Sequence, residues 1–224
     1  MKKLILPLLL LVAFGMLAAV ESDPSNVVGY VKYPCVAGGN AMIALPMAPA
    51  YATAGAVGVA VGAGCDAVSK YDASIQNWQT TFDIGDGFEE DFPVSIGDPL
   101  QVYTYTATDF YSIGDLPTPA TYSLLVGNNM IMIPLNKSDL DTDVPADGIQ
   151  AGEVGVDLAA GFCDAVSMYD SSIQNWQTTF DIGDGFEEDF DTPGIGTPLQ
   201  VYSYSAFTWP GAKSLNVLPT SRSK

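Results

Sequence analysis

Residues 65–92 read CDAVSKYDASIQNWQTTFDIGDGFEEDF, and residues 163–190 read CDAVSMYDSSIQNWQTTFDIGDGFEEDF. Only Lys70/Met168 and Ala73/Ser171 differ. A block of this length, repeated almost unchanged, is one structural unit present twice, and it decides how the rest of the chain is parsed. The likeness continues outward in weaker form. Upstream, Asn40-Ala-Met-Ile-Ala-Leu-Pro46 matches Asn128-Asn-Met-Ile-Met-Ile-Pro134. Downstream, Gly97-Asp-Pro-Leu-Gln-Val-Tyr-Thr-Tyr105 matches Gly196-Thr-Pro-Leu-Gln-Val-Tyr-Ser-Tyr204. The unit is far longer than the roughly 20 to 50 residues of a solenoid or propeller repeat. It reads as two small domains, or as two halves of one pseudo-symmetric domain.

Inside a unit the local signals are mostly β. Met42 to Leu45 is a short apolar run stopped by Pro46, as a buried strand would be. Ala67 to Tyr71 and Trp78 to Phe82 are strand-like runs separated by Asp72 to Asn77, which predicts a hairpin with a long loop. In the second run Trp78, Thr80 and Phe82 share one face, and Gln79 and Thr81 the other. Lys70/Met168 marks a partly exposed position that tolerates an aliphatic stem. Leu100 to Thr106 is rich in β-branched and aromatic residues and predicts another strand.

One stretch has helical spacing. Aligning Gly55–Gly64 with Gly152–Gly161 sets Val57 and Val61 against Val154 and Leu158, and sets Ala56 and Ala60 against Glu153 and Asp157. One face is apolar and another accepts charge. The glycines count against a helix, at about 1 kcal/mol each relative to Ala. The expected architecture is mostly β: two tandem copies of a small β-sandwich or barrel-like module, at 20–120 and 121–224, each with one short helix.

The succession Asn-x-Met-Ile-x-x-Pro, Cys-Asp-x-Val-Ser-x-Tyr-Asp with a following Gln-x-Trp, and Gly-x-Pro-Leu-Gln-Val-Tyr resembles a module repeated in uncharacterised exported proteins of environmental bacteria. Ser25 to Val31 looks like the opening of such proteins. The resemblance implies export and β structure; the family has no established activity and transfers no functional residues.

Lys2 and Lys3, an apolar run from Leu4 to about Leu17, and the small Ala18 and Ala19 predict a secretory signal peptide over 1–19. The competing reading is an uncleaved anchor, for which the run is short against a span of about 20 residues. The expected location is secreted, extracellular or periplasmic. The chain carries 26 acidic against 8 basic residues, a net charge of −18. Such a charge repels nucleic acid and anionic membrane surfaces and attracts cations. Three cysteines, Cys35, Cys65 and Cys163, are too few for a disulfide framework. Cys65 and Cys163 fall at equivalent places, as one buried small side chain per module would.

There is no histidine, which removes Ser-His-Asp and Cys-His nucleophile systems and most catalytic zinc sites. No glycine-rich phosphate loop is followed by Lys. Three candidates for binding remain. The first is the acidic loop with Asp83, Asp86, Glu89, Glu90 and Asp91, repeated as Asp181, Asp184, Glu187, Glu188 and Asp189. Carboxylates and turn-forming glycines suit calcium, but Gly85 stands where an EF-hand has its second acidic ligand. The bland alternative is a solvated acidic turn anchored by Phe88 and Phe92. The second candidate, in one copy only, is the Asp-rich insertion Asp139-Leu-Asp-Thr-Asp143 with Asp147-Gly148; it resembles the opening of a calcium loop, but Val144 replaces the expected glycine and an ordinary surface loop is the favoured reading. The third is aromatic: Tyr71, Trp78, Tyr169 and Trp176, with the Tyr103–Tyr105 and Tyr202–Tyr204 pairs, stack on sugar rings if one sheet face is exposed and are core otherwise.

Near-identical duplication suits a binding or structural unit better than one active site. The expected function is therefore non-catalytic: a protein of the cell envelope or extracellular matrix acting by surface interaction or assembly, with calcium as a candidate stabilising ion. Its expected partners are cell-surface or matrix components including polysaccharide, with self-association, and without nucleic acid or, once the signal is removed, membrane. A carbohydrate-binding module pair is the main rival. A filament subunit lending Val27 to Tyr33 or Ser214 to Leu218 to a neighbour's sheet, and a secreted hydrolase, come after it.

Overall fold

The computed structural model describes residues 29–48, 51–62, 64–141, 148–158, 162–183 and 185–210. The expected signal peptide, Ser214 to Leu218, and Asp143, Asp147 and Asp184 lie outside them. The chain is mostly β and falls into two similar halves. The first runs through β1 (Gly29–Cys35), β2 (Gly39–Ala44), α1 (Ala54–Val61), β3 (Cys65–Asp72), β4 (Asn77–Asp83), β5 (Phe88–Glu89), β6 (Pro99–Thr104) and β7 (Thr108–Gly114). The second repeats the order: β8 (Tyr122–Leu124), β9 (Gly127–Met132), a 3-10 turn (Ser138–Leu140), α2 (Ala151–Leu158), β10 (Cys163–Asp170), β11 (Asn175–Asp181), β12 (Phe186–Glu187), β13 (Pro198–Ser203) and β14 (Phe207–Trp209).

Each half has a five-stranded antiparallel sheet, in the order β2-β6-β3-β4-β5 or β9-β13-β10-β11-β12. The first and last strands of a half pair separately, β1 with β7 and β8 with β14. The helix and this ribbon contribute to the cover on one face of the sheet, and no barrel closes among the described residues. The inner face of the first sheet carries Ile43, Val68, Leu100 and Val102, packed with Val57 and Val61 of α1 and Phe110 of β7. Ile131, Val166, Leu199 and Val201 meet Val154, Leu158 and Trp209 in the second half.

The repeated hairpin is tighter than its sequence predicts. Strands β3 and β4 run on until Asp72 pairs with Asn77. Asp72 Oδ1 accepts from the Ser74 amide (2.8 Å) and hydroxyl (2.6 Å), an Asx turn that lets the chain reverse quickly. Gln76 closes the turn with φ +52°.

The glycine-rich stretches are helical, against the propensity argument. A Cβ at Gly58 would overlap the Phe88 ring, and one at Gly155 would overlap Phe186. The glycines that weaken each helix make room for an aromatic side chain of the acidic loop, and that packing overrides the local preference. Val57, Val61, Val154 and Leu158 are buried, as their spacing predicts.

The halves are docked by reciprocal contacts, so the molecule has an approximate two-fold relation. β2 and β9 are sheet edges. Gln174, in the second half, accepts from the Asn40 amide (2.7 Å) and donates to the Asn40 carbonyl (2.9 Å) on β2. Gln76 accepts from the Asn128 amide (2.8 Å) and donates to the Asn128 carbonyl (3.0 Å) on β9. Each side-chain amide stands in for a neighbouring strand's peptide group and covers an edge that would otherwise invite pairing. Glycine leaves room for it: a Cβ at Gly39 would lie 2.7 Å from the Gln174 amide and displace it. Two phenols repeat the pattern, the buried Tyr33 donating to the Gly196 carbonyl and the half-buried Tyr122 to that of Gly97, both at 2.8 Å.

Candidate functional site

The acidic loop begins as a tight glycine turn. Asp83 Oδ1 accepts from the Gly85 amide (2.9 Å), the Ile84 amide donates to the Gly87 carbonyl (3.0 Å), and both glycines have positive φ. At its far end Asp91 Oδ1 accepts from the amides of Gly55 (2.7 Å) and Phe92 (2.8 Å), at the start of α1. Burial works against the Asp91 carboxylate. Hydrogen bonds from Thr53, Gly55 and Phe92 outweigh it and hold the carboxyl below its ordinary value. Asp189 binds Gly152 and Phe190 in the same way.

Among the described residues, the carboxylates of the sequence-predicted metal set are thus dispersed. Asp83, Asp181, Asp91 and Asp189 hold backbone amides, while Asp86, Glu89, Glu90, Glu187 and Glu188 are exposed. Among the described residues no three His, Cys, Asp or Glu side chains form a group able to hold a metal. Phe88 and Phe92 do pack against the core, with Phe92 fully enclosed. In the insertion, Asp141 Oδ2 accepts from the Gly148 amide (3.2 Å) and Leu140 is buried.

The second half differs from the first at a polar cluster in which an exposed carboxylate meets a buried lysine and a buried indole. Lys137 is 5% exposed and its Nζ lies 2.7 Å from Asp157 Oδ2, which also accepts from Trp209 Nε1 (2.8 Å). Where the first half has apolar Ala60 and Phe110, the second has a carboxylate and an indole that share one hydrogen bond. A cleft of about 530 Å³ opens beside it, between Asp139, Glu153, Asp157 and Asp189.

All three cysteines are buried and unbridged. Burial pushes their thiols up to about 11 for Cys35 and Cys163 and about 12 for Cys65. These are core side chains with little thiolate at neutral pH.

The aromatic residues occupy the sheets' outer faces. Tyr71 and Trp78 meet edge to face across the hairpin, with centroids 5.3 Å apart at 68°, and Tyr169 and Trp176 repeat this geometry. All four are half-buried. Tyr71 and Tyr169 also donate to Gln76 and Gln174, steadying the side chains that dock the halves. The same face continues through the hydroxyl pairs Ser69–Thr80 and Ser167–Thr178, each at 2.8 Å. Beyond them Phe82 and Phe180 are each 55% exposed. Tyr103–Tyr105 and Tyr202–Tyr204 stand edge to face beside them, 5.4 and 5.3 Å apart.

No family model, curated protein or solved structure matches this chain. The site is therefore read from its own geometry. Sequence reasoning passed over Phe82 and Phe180 as ligand contacts, although their two-residue offset from Thr80 and Thr178 puts them on the tryptophan face. It also passed over Gln76, Gln174 and Asp164, whose roles depend on contacts far along the chain.

Proposed function

We propose that this is a non-catalytic exported protein of the cell envelope or extracellular matrix that acts by surface interaction, with polysaccharide as the partner of its two aromatic sheet faces. One observation carries the reading. The same series of tryptophan, tyrosine and phenylalanine lies on the outer face of both sheets, with phenylalanines more than half exposed rather than packed. Aromatic faces in this state offer area to the apolar side of a sugar ring, and adjacent hydroxyls offer polar contacts. Two such faces, held together by the Gln76 and Gln174 clamps, favour a repetitive partner through effective concentration. The absence of histidine removes the nucleophile systems that depend on it, and near-identical duplication suits a binding unit.

Titration of the full chain with soluble polysaccharides tests this, read by tryptophan fluorescence. Quenching that saturates, and that weakens in Trp78→Ala and Trp176→Ala, is expected; flat titrations across a neutral and a charged panel would remove the reading.

Self-assembly is the second reading, favoured by the reciprocal interface between the halves, since reciprocal contacts of this kind can also form between two chains. Concentration-dependent particles in light scattering are expected from it, and a strictly monomeric protein refutes it. The calcium component rests on the composition of the acidic loop. It predicts a higher melting temperature in calcium than in EDTA, and an unchanged melt removes it.

A further inference from the structure

Aromatic residues surround a carboxylate on the outer face of the second sheet. A groove of about 360 Å³ is lined by Phe180, Tyr202 and Tyr204, with Asn128, Thr178 and Asp164 among its polar residues. Phe180 is 55% exposed, Tyr202 36% and Tyr204 59%. Asp164 Oδ2 accepts from the Tyr204 hydroxyl at 2.5 Å. Its other oxygen, Oδ1, is shut away from solvent and has no hydrogen-bond partner among the described residues.

No described lysine forms an ion pair with Asp164. The described lysines are committed elsewhere, Lys32 to Asp109, Lys70 to Asp98, and Lys137 to Asp157 and Asp139. The groove sets the Asp164 side chain beside aromatic surface, which attracts cations and covers the apolar face of a sugar ring. The net charge of −18 acts in the same sense over longer range, drawing in cations and repelling polyanions.

We propose that this groove is a subsite for an amine-bearing sugar, the repeating unit of a cationic glycan, with the ammonium group on Asp164 and the ring against Phe180 and Tyr202. Tyr204 is a positioning residue that orients the carboxylate. The proposal rests on the reading of the aromatic faces as glycan-binding and names the glycan class. In the first half, Asp66, Phe82, Tyr103 and Tyr105 stand at the equivalent positions, and Asp66 lies close enough to Tyr105 to push its phenol upward.

The test is calorimetric titration of the full chain with glucosamine, N-acetylglucosamine and cellulose-derived oligosaccharides of equal length. The glucosamine oligomer is expected to bind about tenfold more tightly than the other two, and Asp164→Asn and Phe180→Ala to weaken it about tenfold each. Asp86→Asn, which removes an exposed charge elsewhere, is expected to change the affinity less than about twofold. Phe180→Ala keeps the test informative if Asp164→Asn misfolds, because Phe180 is largely exposed. Equal losses in Asp86→Asn and Asp164→Asn would show diffuse attraction only and overturn the subsite. Equal affinity for the acetylated oligomer would overturn the amine requirement. If no oligosaccharide binds while polysaccharides still quench tryptophan, the subsite falls and the broader reading stands; if both experiments are flat, both fall.

Discussion

Replacing Gly58 by Ala sets two physical effects against each other. Helix propensity alone favours Ala over Gly by about 1 kcal/mol inside a helix such as α1. The added methyl, however, would occupy space already filled by the Phe88 ring. Overpacking of this kind costs about 1–3 kcal/mol. Phe88 is half-buried, so part of the strain can relax by tilting the ring outward, and this gives up some of the roughly 2 kcal/mol that its burial contributes. The packing term is the larger, so Gly58→Ala is expected to destabilise the protein by about 1 kcal/mol, or a melting-temperature drop of about 2–4 °C for a chain of this size. Removing the ring should reverse the sign: in a Phe88→Ala background the same substitution should stabilise by up to about 1 kcal/mol. Urea unfolding of the four proteins in the cycle measures this, with Trp209 as a buried fluorescent reporter. Gly155 and Phe186 provide an internal replicate. A Gly58→Ala protein that is more stable than the parent while Phe88 is present would refute the reasoning.

Four further outcomes are expected. Gln76→Ala and Gln174→Ala should each lose about 1–2 kcal/mol, for two exposed hydrogen bonds to a strand edge, and the double variant about twice that; an unchanged urea midpoint would mean the clamp contributes nothing. Asp157→Ala leaves the enclosed Lys137 ammonium with the more distant Asp139 carboxylate (3.9 Å) and removes the acceptor of the Trp209 indole, at a cost of about 2–4 kcal/mol that Lys137→Met should largely restore; a near-neutral Asp157→Ala protein would contradict this. The Asp91 carboxyl is held below 3.8, so its contribution is complete above that pH and is lost as pH falls through the lower folded value; Asp91→Asn should make acid unfolding less steep, and parallel curves would count against the cap. Native protein should react slowly with a thiol reagent at pH 8 and rapidly in urea, since all three thiols are enclosed with raised pKa values; fast native labelling would place a thiol at the surface.

Much of the local structure was legible in the residues. The duplicated block announced two equal units. Alternation in β4 correctly set Trp78, Thr80 and Phe82 on one face, and the four-residue spacing of Val57 and Val61 marked the buried side of α1. Local patterns of this kind survive folding because backbone geometry alone creates them. The candidate site was less legible. Five acidic residues in nine resemble a cation loop, but their carboxylates turn to different tasks, and Asp91 caps a helix more than thirty residues upstream.

Period-two alternation determines which side chains share a face, but not which face another layer covers. In β4 the aromatic side faces outward and Thr81, a polar residue, is fully buried, with its hydroxyl satisfied by the Glu89 carbonyl. Only tertiary packing decided that, because α1 and the β1–β7 ribbon occupy the other side. The same holds for Gln76 and Gln174, whose partners lie 52 and 134 residues away. The amino-acid sequence by itself determined the repeat and the strands, whose patterns are short-range. The docking of the halves, the helix in a glycine-rich stretch and the outward aromatic groove depend on what approaches from elsewhere in the chain, and those contacts exist only in the folded molecule.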